Sequence, residues 1–144
     1  MLFRSMRRCA ARCGLSVHLG LLVEDQLHVV YEVEGTGDVR VGVRPGLYDI
    51  ARTASGRLLA AYRWRGTERD SEDYAGIRKH GYSYVELACA VGVHVVAVPV
   101  CIGADPCVAS LASPYFLVSR DQPPVRMDLV EGLRRTAAEI SARF

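Results

Sequence analysis

Between residues 17 and 43 apolar side chains recur at every second position, and this alternation constrains the fold more than any other feature of the chain. Val17, Leu19, Leu21 and Val23 share one face. Val29, Tyr31 and Val33 follow after the polar stretch Glu24, Asp25, Gln26. A period of two is that of a β-strand, and two such runs joined by a short polar turn form an antiparallel hairpin. Gly35, Thr36, Gly37 and Asp38 predict a second turn, into a third strand carrying Val39, Val41 and Val43 that stops at Pro45 and Gly46.

Helical periodicity brackets this meander. Leu2, Met6, Cys9 and Cys13 fall on one face of an N-terminal helix from Leu2 to Arg12, with Arg4, Arg8 and Arg12 opposite. Thr53 is placed to cap a helix carrying Leu58, Leu59 and Tyr62, with Trp64 near its end. Ser71 begins a short helix that closes with Arg78, Lys79 and His80, and Gly81 stands where a left-handed capping residue belongs. Three further strands are predicted at Tyr82 to Ala88, Val93 to Cys101 and Cys107 to Ser113, the last two joined by a turn at Gly103, Ala104, Asp105 and Pro106. Pro123 and Pro124 introduce a final helix with Val125, Leu129, Leu133, Ala137 and Ile140 on one stripe, and Asp128 and Glu131 in its first turns. The order predicts an α+β domain, an antiparallel sheet of about six strands with helices packed on it.

At 144 residues, 50% apolar and 24% charged, the chain has the length and composition of one globular domain. The longest apolar stretch, Leu87 to Ile102, contains His94 and Pro99 and is shorter than the roughly 20 residues of a spanning helix, so no membrane association is expected. Four arginines precede the first acidic residue, Glu24, which leaves a net charge of −2 over residues 13–144. The body therefore offers no basic surface for nucleic acid. Five cysteines, an odd number in a chain large enough to hold a core without staples, fit a reducing cytoplasm with thiols packed as small hydrophobes.

Several clusters invite chemistry. Cys9, Cys13 and His18 could ligate a metal, but they lack the paired Cys/His spacing of zinc sites, and the two thiols lie on an apolar helix face. Cys101 and Cys107 bracket a turn, where buried free thiols are expected rather than a disulfide. His94 with Cys89 or Cys101 has no nucleophile turn or orienting acid beside it. No catalytic residue, metal ligand or cofactor is therefore assigned. Ala54, Ser55 and Gly56, flanked by Arg52 and Arg57, stand at the mouth of a helix whose free N–H groups suit a small anion or a plain helix start.

The runs "GLSVHLGLLVEDQLHVVYEVEGTGDVRVGVRPG", "ARTASGRLLAAY", "IRKHGYSYVELACAVGVHVVAVPV", "CVASLASP" and "LRRTAAEISARF" together span about Cys13 to Phe144. In this order they resemble the effector-binding domain of the IclR family of bacterial transcription regulators. The resemblance implies a GAF-like sheet with helices, a pocket for a small metabolite, and a homodimer or homotetramer. It implies that residues 1–12 are the remnant of a linker helix, that residues 13–144 are the effector-binding domain, and that DNA is contacted only through an N-terminal winged helix-turn-helix absent from this chain. Carried over position by position, the effector pocket is lined by Ala54, Ser55, Val85, Val93, Val95, Ala112 and Ser113. The chain departs from the family pattern after the "GYSY" segment, where only Glu86 is acidic, and between Ala61 and Ile77, where it is shorter by about a helix and a strand.

The function implied is small-molecule sensing and oligomerisation in the cytoplasm, without enzymatic activity. The valines and alanine of the implied pocket favour a largely apolar or aromatic carboxylic acid as effector. Two other classes stay open beside it: a structural or dimerisation remnant that senses nothing, and a small hydrolase using Cys and His.

Overall fold

In the computed structural model, residues 2–37, 41–87, 92–117, 119 and 121–144 are described. The alternating runs form the expected hairpin, β1 (Val17–Val23) and β2 (Gln26–Val33). The third strand differs from expectation: residues 41–44 form no strand, and β3 (Gly46–Asp49) begins at the Pro45–Gly46 step that was to end it. Val39 lies outside the described residues. The reason is that the chain after β2 does not turn back at once. Gly35 donates its N–H to Ser16 Oγ at 3.0 Å, and a Cβ there would stand 2.5 Å from the backbone of Leu15. The segment is thus tied down against the residues that precede β1.

A short 3-10 turn (Ile50–Arg52) leads into α2 (Ala54–Arg63), capped as predicted by Thr53, whose Oγ1 accepts the Gly56 N–H at 3.1 Å. In α3 (Glu72–His80), Ser71 Oγ accepts the Tyr74 N–H at 3.1 Å, and Gly81 ends the helix with φ 75°. The loop between them is closed by Arg78, which donates twice to Asp70 at 3.0 Å.

Three strands complete the sheet: β4 (Ser83–Glu86), β5 (Val93–Ile102) and β6 (Asp105–Phe116). The order is β3-β2-β1-β6-β5-β4, with every neighbouring pair antiparallel. β6 runs past the predicted Ser113 to include Pro114. Its ladder with β1 covers only Ser110 to Ala112, so Pro114 needs no N–H on that side.

The sheet is covered on both faces. Residues 93–98 of β5 are all buried, although a strand packed on one side only would alternate. On one face lie α1 (Leu2–Cys13) and α4 (Met127–Ser141), whose Met6, Cys9, Leu129, Leu133 and Ile140 pack with Val17, Val96, Val98 and Leu111. On the other face α2 and α3 place Ala54, Leu58, Ala61 and Ile77 over Val95, Ala97 and Ala112. The apolar stripe of α1 therefore folds back on its own domain, with Met6 fully buried. α4 starts at Met127, later than its stripe predicted, because the preceding turn is held by Tyr115, whose hydroxyl bonds Pro124 O and accepts the Arg126 N–H at 3.3 Å.

Candidate functional site

Gly20 lets the start of α2 sit directly on β1. A Cβ at Gly20 would stand 3.6 Å from Ser55 Cβ, 2.8 Å from Leu27 Cδ1 and 2.9 Å from Ser110 Oγ. Beside this contact the helix start and the sheet separate around a cavity of about 280 Å³. Its floor is His18, Leu27 and Val95. One wall is Thr53, Ala54 and Ser55, and the rim is Val43, Tyr48, Asp49, Arg52 and Leu87.

Polar groups are few here, and two lack partners. Ser55 Oγ and His18 Nδ1 are both buried with no hydrogen-bond partner among the described residues, a state that costs free energy unless something else meets them. Burial lowers the His18 pKa to about 4, so the imidazole is neutral at pH 7. Thr53 Oγ1 donates to Asp49 O at 2.9 Å while it caps Gly56. The first N–H groups of a helix have no intrahelical acceptor, so those of Ala54 and Ser55 face whatever occupies the space before α2. Asp49 works against an anion, but its carboxylate accepts the Ala51 N–H at 2.8 Å and lies 3.8 Å from Arg52 Nε.

A larger depression of about 610 Å³, between α4 and β5, is lined by Gly81, Pro99, Cys101 and Arg134 among others. None of the buried, unpartnered polar atoms lies on it. The α2 cavity is for that reason the stronger candidate.

Of the residues implied by the resemblance, Ala54, Ser55 and Val95 line this cavity. Val85 pairs with Val95 across β4 and β5, and Val93 lies two residues further along β5, so both share its face without lining it. Ala112 pairs with both His18 and Ala97 and packs beneath α2. Ser113 is on the other face: its hydroxyl donates to Ser16 O at 2.7 Å, and adjacent strand residues cannot face the same way. Glu86 pairs with His94 and is likewise on the face away from Val95. His18, Leu27, Tyr48 and Leu87 were not anticipated as walls. The buried polar His18 in an apolar strand was visible, but its neighbours are fixed only by sheet order.

The other clusters do not assemble. Among the described residues no three metal-binding side chains converge. The Cys13 thiol beside Cys9 holds the Cys9 pKa down against the effect of burial, and the same contact pushes Cys13 up. Cys101 and Cys107 are free but not both buried as expected: Cys101 is exposed and donates to Pro106 O at 2.9 Å, while Cys107 is part-buried, which pushes its pKa up to about 12. His94 Nδ1 is 2.7 Å from Tyr84 OH and its ring stacks on Tyr115. Cys101 is seven residues along the same strand, roughly 23 Å away at 3.3 Å per residue. Cys89 lies outside the described residues.

No protein-family model and no curated protein sequence matches the chain. Solved structures do. An IclR-family transcriptional regulator from Rhodococcus sp. superposes with a TM-score of 0.80 at 22% identity, over 98% of this chain and 61% of that one. The C-terminal domain of the E. coli transcriptional regulator KdgR gives 0.76 at 23% identity, over 98% of this chain and 96% of that domain. An IclR homologue from Microbacterium hydrocarbonoxydans, solved in complex with 4-hydroxybenzoate, gives 0.80 at 19% identity, over 98% and 65%. Among the described residues no helix is long and apolar enough to cross a membrane. With four α-helices on a six-stranded antiparallel sheet among the described residues, the chain has the fold of the C-terminal domain of IclR-family transcription regulators.

Proposed function

We propose that this chain is a cytoplasmic effector-sensing domain of an IclR-like regulator, acting by binding rather than catalysis. The observation that carries the proposal is the cavity at the start of α2, whose wall includes Ser55, with a buried hydroxyl that has no partner among the described residues. The 4-hydroxybenzoate complex of the Microbacterium homologue supports it at the level of the fold.

The effector is a small, largely apolar or aromatic carboxylic acid. Its carboxylate sits at Ser55 Oγ and the N–H groups of Ala54 and Ser55, where the helix dipole favours negative charge. Its body lies against Leu27, Leu87 and Val95, with Val85 and Ala112 packed behind and Val93 two residues from Val95 on the same face of β5. A sugar acid fits worse, because each hydroxyl buried without a partner costs about 1–3 kcal/mol. Residues 1–12 act as the end of a linker helix and residues 13–144 as the sensing domain, in a homodimer or homotetramer. Effector binding shifts the population of subunit arrangements, and α1, packed on α4 through Met6 and Cys9, passes the shift to a DNA-binding module in a longer protein.

A thermal-shift screen of benzoate-like acids against short oxo-acids and sugar acids tests this. Stabilisation by the aromatic acids is expected. A response to the polar acids alone removes the apolar effector, and a response to neither set favours a remnant that senses nothing.

A further inference from the structure

Away from the α2 cavity, two thiols stand together where α1 packs on α4. Cys9 and Cys13 are one helical turn apart on α1, so they share a face, and their thiols are in hydrogen-bond contact. Both line a cavity of about 260 Å³ between the two helices, together with Arg12, Arg126, Arg135 and Asp128. Cys9 is only 3% exposed, whereas Cys13 is partly exposed, and Gly132 of α4, where a Cβ would meet nothing within 4 Å, leaves space in the same cavity. The other thiol pair is arranged differently. Cys101 and Cys107 line separate depressions, and each thiol is turned to a main-chain carbonyl, of Pro106 and of Ala109.

We infer that Cys9 and Cys13 form a two-sulfur site for a trivalent arsenical that carries one carbon substituent and two exchangeable hydroxyls. Length decides against a disulfide. Residues at i and i+4 of a helix hold their Cβ atoms about 5–6 Å apart and a disulfide needs about 3.5–4.5 Å, so oxidation of the pair would break the last turn of α1. One atom placed between the sulfurs spans the difference with the helix intact. Charge and ligand number decide against a metal ion. Three guanidinium groups line the cavity, the Asp128 carboxylate is bonded to Arg126 at 2.7 Å, and a structural zinc takes four ligands. Ions that take two sulfurs hold them in a line, further apart than a hydrogen-bond contact leaves them. A neutral R–As(OH)2 meets neither obstacle. Cys13, the more exposed thiol, displaces the first hydroxyl and Cys9 the second. Two As–S bonds form, two As–O bonds break, each thiol proton leaves with a hydroxide as water, and nothing is oxidised or reduced. The site is independent of the α2 cavity, so its failure leaves the proposed function as it stands.

The test is intact-mass spectrometry of the chain with methylarsonous acid in excess 2-mercaptoethanol, a monothiol that competes away single As–S bonds. One adduct per chain is expected, formed with loss of two waters, released by 2,3-dimercaptopropanol, and with helix content by circular dichroism unchanged. Cys9→Ser and Cys13→Ser should each weaken it about a hundredfold or more, because the second bond of a chelate forms at high effective concentration. Cys101→Ser should leave it as it is. Cys13→Ser lies at the partly exposed position, so the test does not depend on a substitution at the buried one. An adduct that persists in folded Cys13→Ser, one lost in Cys101→Ser, or one that forms only with loss of helix overturns the inference, as does the absence of any adduct that resists the monothiol.

Discussion

Gly20 and Ser55 are in direct apposition across the β1–α2 contact: a Cβ on the glycine would lie 3.6 Å from that of the serine. The helix start can approach the sheet this closely because one side chain is missing, and the cavity exists in the step beside it. Gly20→Ala must displace Leu27 Cδ1 and Ser110 Oγ, at 2.8 and 2.9 Å. A cost of about 1–3 kcal/mol is expected, a fall of roughly 2–4 °C in Tm per kcal/mol. Thermal unfolding checks it, and an unchanged Tm would mean the helix start is looser than described.

Ser55→Ala and Ser113→Ala should behave oppositely. Ser113 Oγ donates to Ser16 O within the core, and its loss leaves a buried acceptor, for about 1–3 kcal/mol of stability and no change in effector affinity. Ser55 Oγ has no partner to lose, so Ser55→Ala should leave apo stability unchanged or slightly raised and weaken binding of an aromatic acid. Urea titration with and without benzoate separates the two.

Thr53 caps α2 and forms one wall of the cavity. Thr53→Ala is expected to cost about 1 kcal/mol, and Thr53→Ser to recover most of it, in chemical denaturation. Equal loss in both variants would place the effect in the methyl group instead.

The pH dependence follows from His18. Its folded pKa, about 4, lies below the ordinary 6.5, so the unfolded chain binds the proton more readily. The stability is therefore fully present above pH 6.5 and is lost as pH falls toward 4. Between pH 7.5 and pH 5 the loss should be about 2 kcal/mol. Asp70, held down to about 2 by Arg78, adds its own loss only below the usual carboxylate range. His18→Leu should remove the slope above pH 5, as urea midpoints at the two pH values would show.

Much of this fold is legible in the sequence because the signals are local. The alternation through Val17 to Val33, the caps at Thr53 and Ser71, and Gly81 all report on residues close to themselves. Strand β3 was misplaced because the decisive contact, Gly35 on the Leu15 backbone, joins segments about twenty residues apart. Burial of both sheet faces needs the order β1-β6-β5, which alternation within a single strand does not encode. For the site, Ser55 follows from its place after the cap. Ala112 and Ser113 are neighbours in one strand, so period two alone separates their faces. His18 becomes a cavity floor only when β6 brings Ala112 beside it.

The central claim is that a small acid binds with its carboxylate at the start of α2. Amide chemical-shift mapping during a benzoate titration tests this most directly. Ala54, Ser55 and Gly56 should show the largest saturable shifts, with the Ala54 and Ser55 N–H protons moving downfield as they meet the carboxylate. Shifts confined to Gly81, Arg134 and Ser141, on the depression between α4 and β5, or no saturable shift at all, would contradict it.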